Sequence, residues 1–203
     1  MKEKIFGRKT ELIEAALNEF IAKSYEDASL NNIIKQAGIS KGTFYYHFHD
    51  KQALYLFLLE SSVKNKLEFT NSRVKENFEG FRGEDIFGKF KLQARIGAEF
   101  AAAYPKYHML SKMFTKEKGN RIYRIAKDVL GSGTGKVLVE MIDEAVNNGD
   151  FRNEFPRDFI LKVVNHLFIH FDEIFDTEKD LELDRMLTNL DKFVDFLKNG
   201  LAK

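Results

Sequence analysis

Apolar side chains recur three or four positions apart along most of the chain, which is the spacing of an amphipathic helix. The first such segment spans residues 8–24 and carries Leu12, Ile13, Ala16, Leu17, Phe20 and Ile21. Further segments predict helices over residues 51–80, 85–103, from 105 onwards, 120–130, 134–149, 156–175 and 180–199. Val, Ile and Thr form no alternating run typical of a strand. The pattern therefore predicts an all-α protein of about nine helices.

Two short helices are predicted between the first helix and residue 51. Ser29 has the side chain of an N-cap, and the apolar spacing after it continues until Gly38, where a left-handed residue would end a helix. Ser40 can cap a third helix that begins at Lys41, and Asp50 can cap a fourth. Two helices joined by a three-residue turn that begins with glycine form a helix-turn-helix arrangement.

The third helix has two chemically different faces. On a helical wheel Phe44 and Phe48 fall together and are expected in the core. The outward face carries Gly42, Thr43 and Tyr46, with Tyr45 and His47 on its flanks. Lys41 lies in the first turn and Lys51 begins the next helix. Such a face suits DNA, because glycine permits close approach while hydroxyl and ammonium groups bind bases or phosphates. The alternative is that the tyrosines lie at the core edge with their hydroxyls in water.

The stretch SLNNIIKQAGISKGTFYYHFHDKQAL, residues 29–54, resembles the DNA-binding motif of the TetR family of bacterial transcription regulators. The matching order is a small cap, an apolar helix, Ala-Gly-apolar-Ser, then Lys-Gly-Thr-apolar-Tyr and a lysine at the fourth helix. The resembling stretch covers about an eighth of the chain. Two neutral amides, Asn31 and Asn32, stand where many relatives carry a charged residue, so base preference cannot be transferred.

The resemblance implies a role for each matching position of the motif. Lys41, Gly42 and Thr43 would enter the major groove, while Tyr45, Tyr46 and His47 would lie against phosphates or the groove edge. Lys51 would bind a phosphate from the fourth helix. Ser29 and Asn31 would lie near the DNA backbone at the start of the second helix, with Asn31 a candidate base reader. Residues 1–49 would form the DNA-binding domain, and residues 50–203 would form a larger helical domain for effector binding and dimerisation.

Composition narrows the remaining classes of protein. The 203 residues carry a net charge of only +1, and residues 150–203 carry −4, which disfavours DNA binding there. No cysteine is present, which excludes disulfides, thiolate catalysis and cysteine zinc sites. No apolar run reaches the roughly 18 residues of a membrane span, and the N-terminus lacks the apolar segment of a signal peptide. We expect a cytoplasmic protein.

The last two predicted helices carry apolar residues on more than one face, which indicates two apolar neighbours for each. One neighbour can be a second copy of the chain, joined as a four-helix bundle. The resemblance implies the same homodimer. The candidate interface residues are Val164, Phe168, Phe171, Leu190, Phe193 and Leu197. The alternative is a thicker core within a single chain.

The middle of the chain is rich in Phe, Tyr and Met, as an apolar effector cavity would be. The candidate ligand-binding residues are Phe100, Tyr104, His108, Met109, Met113, Tyr123 and Phe168. Each of them could equally be an ordinary core residue. An effector that favours a different separation of two DNA-reading heads would weaken DNA binding.

Two motifs suggest other chemistry but are incomplete. The segment GSGTGK, residues 131–136, lacks the glycine spacing, the following hydroxyl residue and the preceding strand of a phosphate-binding loop. His166 and His170 share a helix face, but the pattern of a catalytic zinc site is absent. We expect no metal, no cofactor and no enzymatic activity. The sequence predicts a ligand-responsive transcription regulator that binds a palindromic operator as a homodimer. We expect it to be a repressor. The alternatives are control by a protein partner without a small ligand, or a helical enzyme or carrier.

Overall fold

The computed structural model describes residues 8–76, 83–131, 133–169, 174–175 and 183–202, and within these ranges the fold is helical. The ten helices of the described residues are α1 (Lys9–Ala22), α2 (Leu30–Gln36), α3 (Lys41–His47), α4 (Lys51–Glu76), α5 (Ile86–Ala103), α6 (Pro105–Lys116), α7 (Arg121–Leu130), α8 (Gly133–Asn148), α9 (Arg157–Ile169) and α10 (Leu183–Leu201). The same residues contain no strand, only an isolated bridge between Phe151 and Ala202. The predicted all-α class is confirmed.

Helix ends differ from the predicted ones by a few residues. Helix α1 stops at Ala22 because Lys23 is extended, two residues before the predicted end. Helix α10 continues to Leu201, two residues beyond its predicted end. Predicted helical residues 77–80, 170–173 and 180–182 lie outside the described ranges.

The residues pack into two units, and each has its own apolar core. The described parts of residues 1–68 and 103–131 form the first unit. Its core contains fully buried side chains from α1, α2, α3, α4, α6 and α7, among them Leu12, Phe20, Ile33, Phe44, Leu54, Tyr55, Leu110 and Ile122. The core of the first unit therefore fixes the short helices α2 and α3 against the longer ones.

The second unit comprises the described parts of residues 69–102 and 132–203. Its core is formed by α5, α8, α9 and α10 and includes Phe87, Phe90, Ile142, Ile160, Val164, Phe193, Val194 and Leu197. Surface ion pairs connect α10 with α5 and the residue before it, at 2.7 Å between Lys91 and Asp195 and 2.6 Å between Lys198 and Asp85. Exposed pairs of this kind contribute roughly 0–1 kcal/mol each, so the apolar contacts dominate.

The predicted functional division at residues 1–49 and 50–203 concerns which part binds DNA and which binds effector. The two packing units are defined by contacts between residues and not by what those residues bind. The functional division therefore stays a prediction.

Helix α3 offers a direct test of its two faces. Phe44 is fully buried, whereas its neighbour Tyr45 is 58% exposed. We expect Phe44→Ala to lower the free energy of unfolding by about 3–5 kcal/mol, because it removes buried contacts and leaves a cavity. Urea unfolding of purified protein measures this loss.

Tyr45→Ala is the matched control, and we expect it to change stability by about 0.5 kcal/mol or less. Equal destabilisation by the two substitutions would contradict the orientation of α3.

Candidate nucleic-acid interface

Polar side chains begin α2, α3 and α4 in the predicted manner. The hydroxyl of Ser29 accepts the amide N–H of Asn32 at 3.3 Å, and that of Ser40 accepts the amide of Thr43 at 3.0 Å. The carboxylate of Asp50 accepts the amide of Ala53 at 2.7 Å, and this bond, with a second from His49, lowers the pKa of Asp50. These caps satisfy amide groups that have no partner within their helix.

The turn between α2 and α3 is a Schellman motif centred on Gly38. The amide of Gly38 donates to the carbonyl of Lys35 at 3.1 Å, and that of Ile39 donates to the carbonyl of Ile34 at 3.3 Å. Gly38 has φ of 62°, a left-handed conformation that glycine adopts without strain. The turn thereby sets the angle at which α3 leaves α2.

Helix α3 presents the predicted polar set on its exposed side. Phe44 and Phe48 are buried, while Tyr45 and Tyr46 are 58% and 65% exposed. The remaining predicted residues of this helix are exposed at Lys41 and Gly42 and half-buried at Thr43 and His47. The ring of Tyr46 packs edge-on against His47 with centroids 5.2 Å apart. This contact limits the directions in which the Tyr46 ring can point.

The start of α2, the helix that precedes α3 in the chain, is partly accessible to solvent. Asn31 is exposed, whereas Ser29 is half-buried and uses its hydroxyl as the helix cap. Asn31 can therefore reach an external partner more readily than Ser29 can.

Lys51 makes intramolecular contacts that the sequence did not predict. Its ammonium donates to the carbonyls of Tyr25, Glu26 and Ala28 at 2.7, 3.2 and 2.9 Å. The same group lies 4.6 Å from the centroid of the Tyr25 ring. A lysine ammonium has three N–H donors, so these carbonyls can engage all of them. In this structure Lys51 holds the loop that leads into α2, and its predicted phosphate contact stays a prediction.

A buried carboxylate holds the same loop through Tyr25. Glu117 follows α6, is buried, and accepts the backbone amide of Tyr25 at 2.6 Å. Its second oxygen accepts the side-chain amide of Asn120 at 2.5 Å. Lys51 therefore binds carbonyls of the loop between α1 and α2, while Glu117 binds an amide of the same loop.

A second buried carboxylate, Glu19 of α1, fixes the start of α2. It accepts hydrogen bonds from Lys23 at 2.7 Å, from the amide of Ser29 at 2.9 Å, and from the side-chain amide of Asn32. Burial alone would raise the pKa of Glu19, but these three bonds and the charge of Lys23 bring it below its ordinary value. Glu19 is therefore an ionised group that ties α1 to α2.

Sequence reasoning missed both of these acidic residues. Glu19 lies four positions after Ala15 and three after Ala16, on the buried face of α1, and an acidic residue in that register signals a satisfied polar contact. Glu117 follows the end of α6 and has no comparable local signal.

The predicted effector residues are distributed over both packing units. Phe100 is buried against Phe69, and Phe168 lies between Phe90 and Phe193, with ring centroids 5.1–5.8 Å apart. In the first unit, Tyr123 stacks on Phe114 at 4.8 Å.

The other candidates in the first unit differ in accessibility. Tyr104 and Met109 are exposed, and His108 and Met113 are half-buried. An effector site at these residues stays a prediction.

The predicted interface residues lie mainly in the core of their own chain. Val164, Leu190, Phe193 and Leu197 are buried in the second unit, and Phe168 is half-buried there. Phe171 lies outside the described residues. A second copy would therefore contact other side chains of α9 and α10, and the most exposed large apolar ones there are Phe196 and Phe159, at 71% and 46%.

We also searched the described residues for a membrane-spanning helix, a metal site and a phosphate-binding loop. None of its helices is long and apolar enough to cross a membrane. Its residues contain no group of three or more His, Cys, Asp or Glu side chains placed to hold a metal, and His170 is outside them. Gly131 ends α7 and Gly133 begins α8, whereas Ser132 and the side chains of the rest of the glycine-rich segment are not described.

The family model of bacterial regulatory proteins of the tetR type matches residues 12–57, which include α2 and α3. The chain is 33% identical over 100 residues to the helix-turn-helix-type transcriptional regulator YdgC of Bacillus subtilis, covering 49% of this chain and half of that protein. It is 21% identical over 172 residues to a probable repressor of the acrEF/envCD operon of Escherichia coli, covering 82% of this chain and 75% of that protein.

Two solved structures share the fold over nearly their full lengths. A TetR family transcriptional regulator from Chloroflexus aurantiacus matches with a TM-score of 0.74 and 19% identity, covering 99% of this chain and 98% of that one. A gamma-butyrolactone receptor matches with a TM-score of 0.68 and 17% identity, covering 98% and 90%. At this identity the likeness establishes the fold.

The Glu19 network predicts a specific loss of stability in acid. We expect Glu19→Gln to lower the free energy of unfolding at pH 7 by about 1.5–3 kcal/mol, because it weakens hydrogen bonds to a charged group. Because the folded-state pKa is lowered, the carboxylate stabilises the fold above its unfolded pKa of about 4.3, and this stabilisation disappears as the pH falls through the lower folded value. Urea unfolding between pH 3 and pH 7 measures both effects.

The control is the exposed residue Glu11 of the same helix, and we expect Glu11→Gln to leave the pH profile unchanged. If Glu19→Gln loses as much unfolding free energy between pH 7 and pH 3 as the native protein does, Glu19 does not have the assigned role.

Proposed function

Because the chain belongs to the TetR family of bacterial regulatory proteins, we propose that it is a cytoplasmic repressor of transcription. It binds a palindromic operator as a homodimer and is released by a small-molecule effector. The observation that best supports DNA binding is the accessible side of α3. Lys41, Gly42, Thr43 and Tyr46 lie there, on a capped helix that follows the Gly38 turn. This is a DNA-binding regulator and not an enzyme.

The proposed contacts divide into those that position the protein and those that read bases. Lys41 and Tyr46 donate to phosphate oxygens, which fixes the register of α3 on the duplex. Gly42 allows the helix to approach the major groove, and Thr43 and Asn31 contact base edges there. Tyr45 and His47 lie at the edges of the same surface and complete it.

Lys51 supports this interface from inside the protein. Its three carbonyl contacts hold the segment that leads to Ser29, and Ser29 caps α2. We assign Lys51 the role of positioning α2 and α3, and a direct phosphate contact would require the ammonium to leave at least one carbonyl.

The proposed homodimer uses the exposed sides of α9 and α10. Phe196 and Phe159 are large apolar side chains exposed on these two helices, and a second copy would remove them from water. A two-fold axis would then place two copies of α3 on half-sites about 34–36 Å apart, or a multiple of that distance.

A small-molecule effector is supported by relatives with matching folds. The gamma-butyrolactone receptor is one such protein. For this chain we propose an effector site within one unit, lined either by residues of the first unit, among them Tyr104, His108, Met109, Met113 and Tyr123, or by Phe100 and Phe168 of the second. Binding of the effector would change the separation of the two DNA-binding domains.

The DNA-binding proposal is tested with an operator selected by the native protein from a pool of random 30-base-pair duplexes. We expect an enriched palindrome, and we expect Tyr46→Phe to weaken its binding about tenfold or more, because the substitution removes only a hydroxyl that contacts a charged phosphate. Fluorescence anisotropy of the labelled palindrome measures the dissociation constant.

Tyr104→Phe, measured without any added small molecule, is the matched control, since Tyr104 is an exposed tyrosine outside the helix-turn-helix. This variant should bind the palindrome with the affinity of the native protein. Enrichment of no sequence by the native protein would refute the proposed function. Unchanged affinity of Tyr46→Phe would refute only the phosphate contact.

The dimer is tested by sedimentation at micromolar concentration. We expect the native protein to have twice the chain mass of 23.6 kDa, and Phe196→Asp to have the mass of one chain, because burying an unpaired carboxylate in the interface is strongly unfavourable.

Val129→Asp changes an exposed apolar residue of α7 in the same way and should leave the dimer intact. A native protein that sediments with the mass of one chain contradicts the dimer, and a dimeric Phe196→Asp variant contradicts its proposed surface.

A further inference from the structure

Arg8 immediately precedes α1 but binds the turn of the helix-turn-helix, thirty residues away in sequence. Its Nη1 donates to the carbonyl oxygen of Gly38 at 2.6 Å, and the side chain is otherwise exposed. The DNA-binding motif in residues 29–54 does not include Arg8, and local sequence gives no signal for this contact. The guanidinium is therefore held at the junction from which α3 begins.

Gly38 gives the guanidinium room to approach. A Cβ built at this position would lie 3.1 Å from Nη1 of Arg8, tighter than ordinary van der Waals contact. The glycine consequently serves both the left-handed conformation of the turn and the close contact with Arg8. One hydrogen bond uses one of the five N–H donors of the guanidinium, and the others remain able to bind an external acceptor.

The charges around the turn point to an anionic partner. Within the described part of the chain, Arg8, Lys35 and Lys41 have no carboxylate at ion-pair distance, and all three are exposed. By contrast, the half-buried Lys91 and the exposed Lys198 of the second unit form ion pairs at 2.7 and 2.6 Å. Cations kept free of carboxylates on a DNA-reading element are available to phosphates.

We propose that Arg8 is a further DNA-contacting residue, whose guanidinium binds a phosphate of the operator backbone while it remains anchored on the Gly38 carbonyl. This inference rests on the proposed DNA-binding function. A planar guanidinium fixed at one corner presents its remaining donors in a defined direction, which suits the tetrahedral phosphate oxygens. The same contact places a positive charge beside the exposed carbonyl of Gly38, where an uncompensated carbonyl dipole would face the phosphates.

The test uses the salt dependence of binding to the selected palindrome described above. Each phosphate contact changes the slope of log Kobs against log salt concentration by about 0.9. A dimer carries two copies of Arg8, so Arg8→Gln should reduce the magnitude of the slope by about 1.8 and weaken binding at low salt. Arg8→Lys should keep most of the slope, because it retains the positive charge.

Arg124→Gln is the matched control, since it removes an exposed arginine of α7 outside the helix-turn-helix, and it should leave the slope unchanged. A native slope in Arg8→Gln would overturn the phosphate contact and leave Arg8 as a clamp of the turn. Absence of salt-dependent DNA binding by the native protein would overturn both this inference and the proposed function. Thermal unfolding of each variant confirms that affinities are compared between folded proteins.

Discussion

The geometry of the proposed DNA-binding surface, formed by α3 and the start of α2, depends on how the loop between α1 and α2 is held. Lys51 binds three of its carbonyls and Glu117 binds one of its amides, so side chains from α4 and from the segment after α6 fix the loop. Glu19 then ties α1 to the first residues of α2. Helices of seven residues are too short to be stable alone, so their orientation has to come from such tertiary contacts.

Local periodicity was sufficient to predict the helices, the turn and the two faces of α3. Caps at Ser29, Ser40 and Asp50 involve residues three positions apart, which is why sequence patterns reveal them. The contacts of Lys51 and Glu117 join residues 23 to 92 positions apart. No pattern within a helix specifies such pairs, so the sequence did not show that Lys51, predicted to bind a phosphate, also binds backbone carbonyls.

The same limit explains the predictions for α9 and α10. Helical spacing identified their apolar residues, but it does not state which neighbour covers each face. Val164 and Phe193 are covered within their own chain, whereas Phe196 is exposed. Aromatic residues proposed for the effector present the same ambiguity, because Phe100 and Phe168 already contact other rings in the core. The sequence shows that these helices carry more than one apolar face, but which neighbour covers each face depends on tertiary packing.

Recognition of the loop through main-chain atoms has an evolutionary consequence. Lys51 contacts carbonyl oxygens of residues 25, 26 and 28, and Glu117 contacts an amide nitrogen, groups that nearly every amino acid supplies. The side chain of Glu26 is exposed and takes no part in these bonds. Substitutions at such a position can therefore accumulate during divergence without altering the orientation of α2 and α3, whereas a change at Lys51 or Glu117 removes bonds that hold the loop before α2.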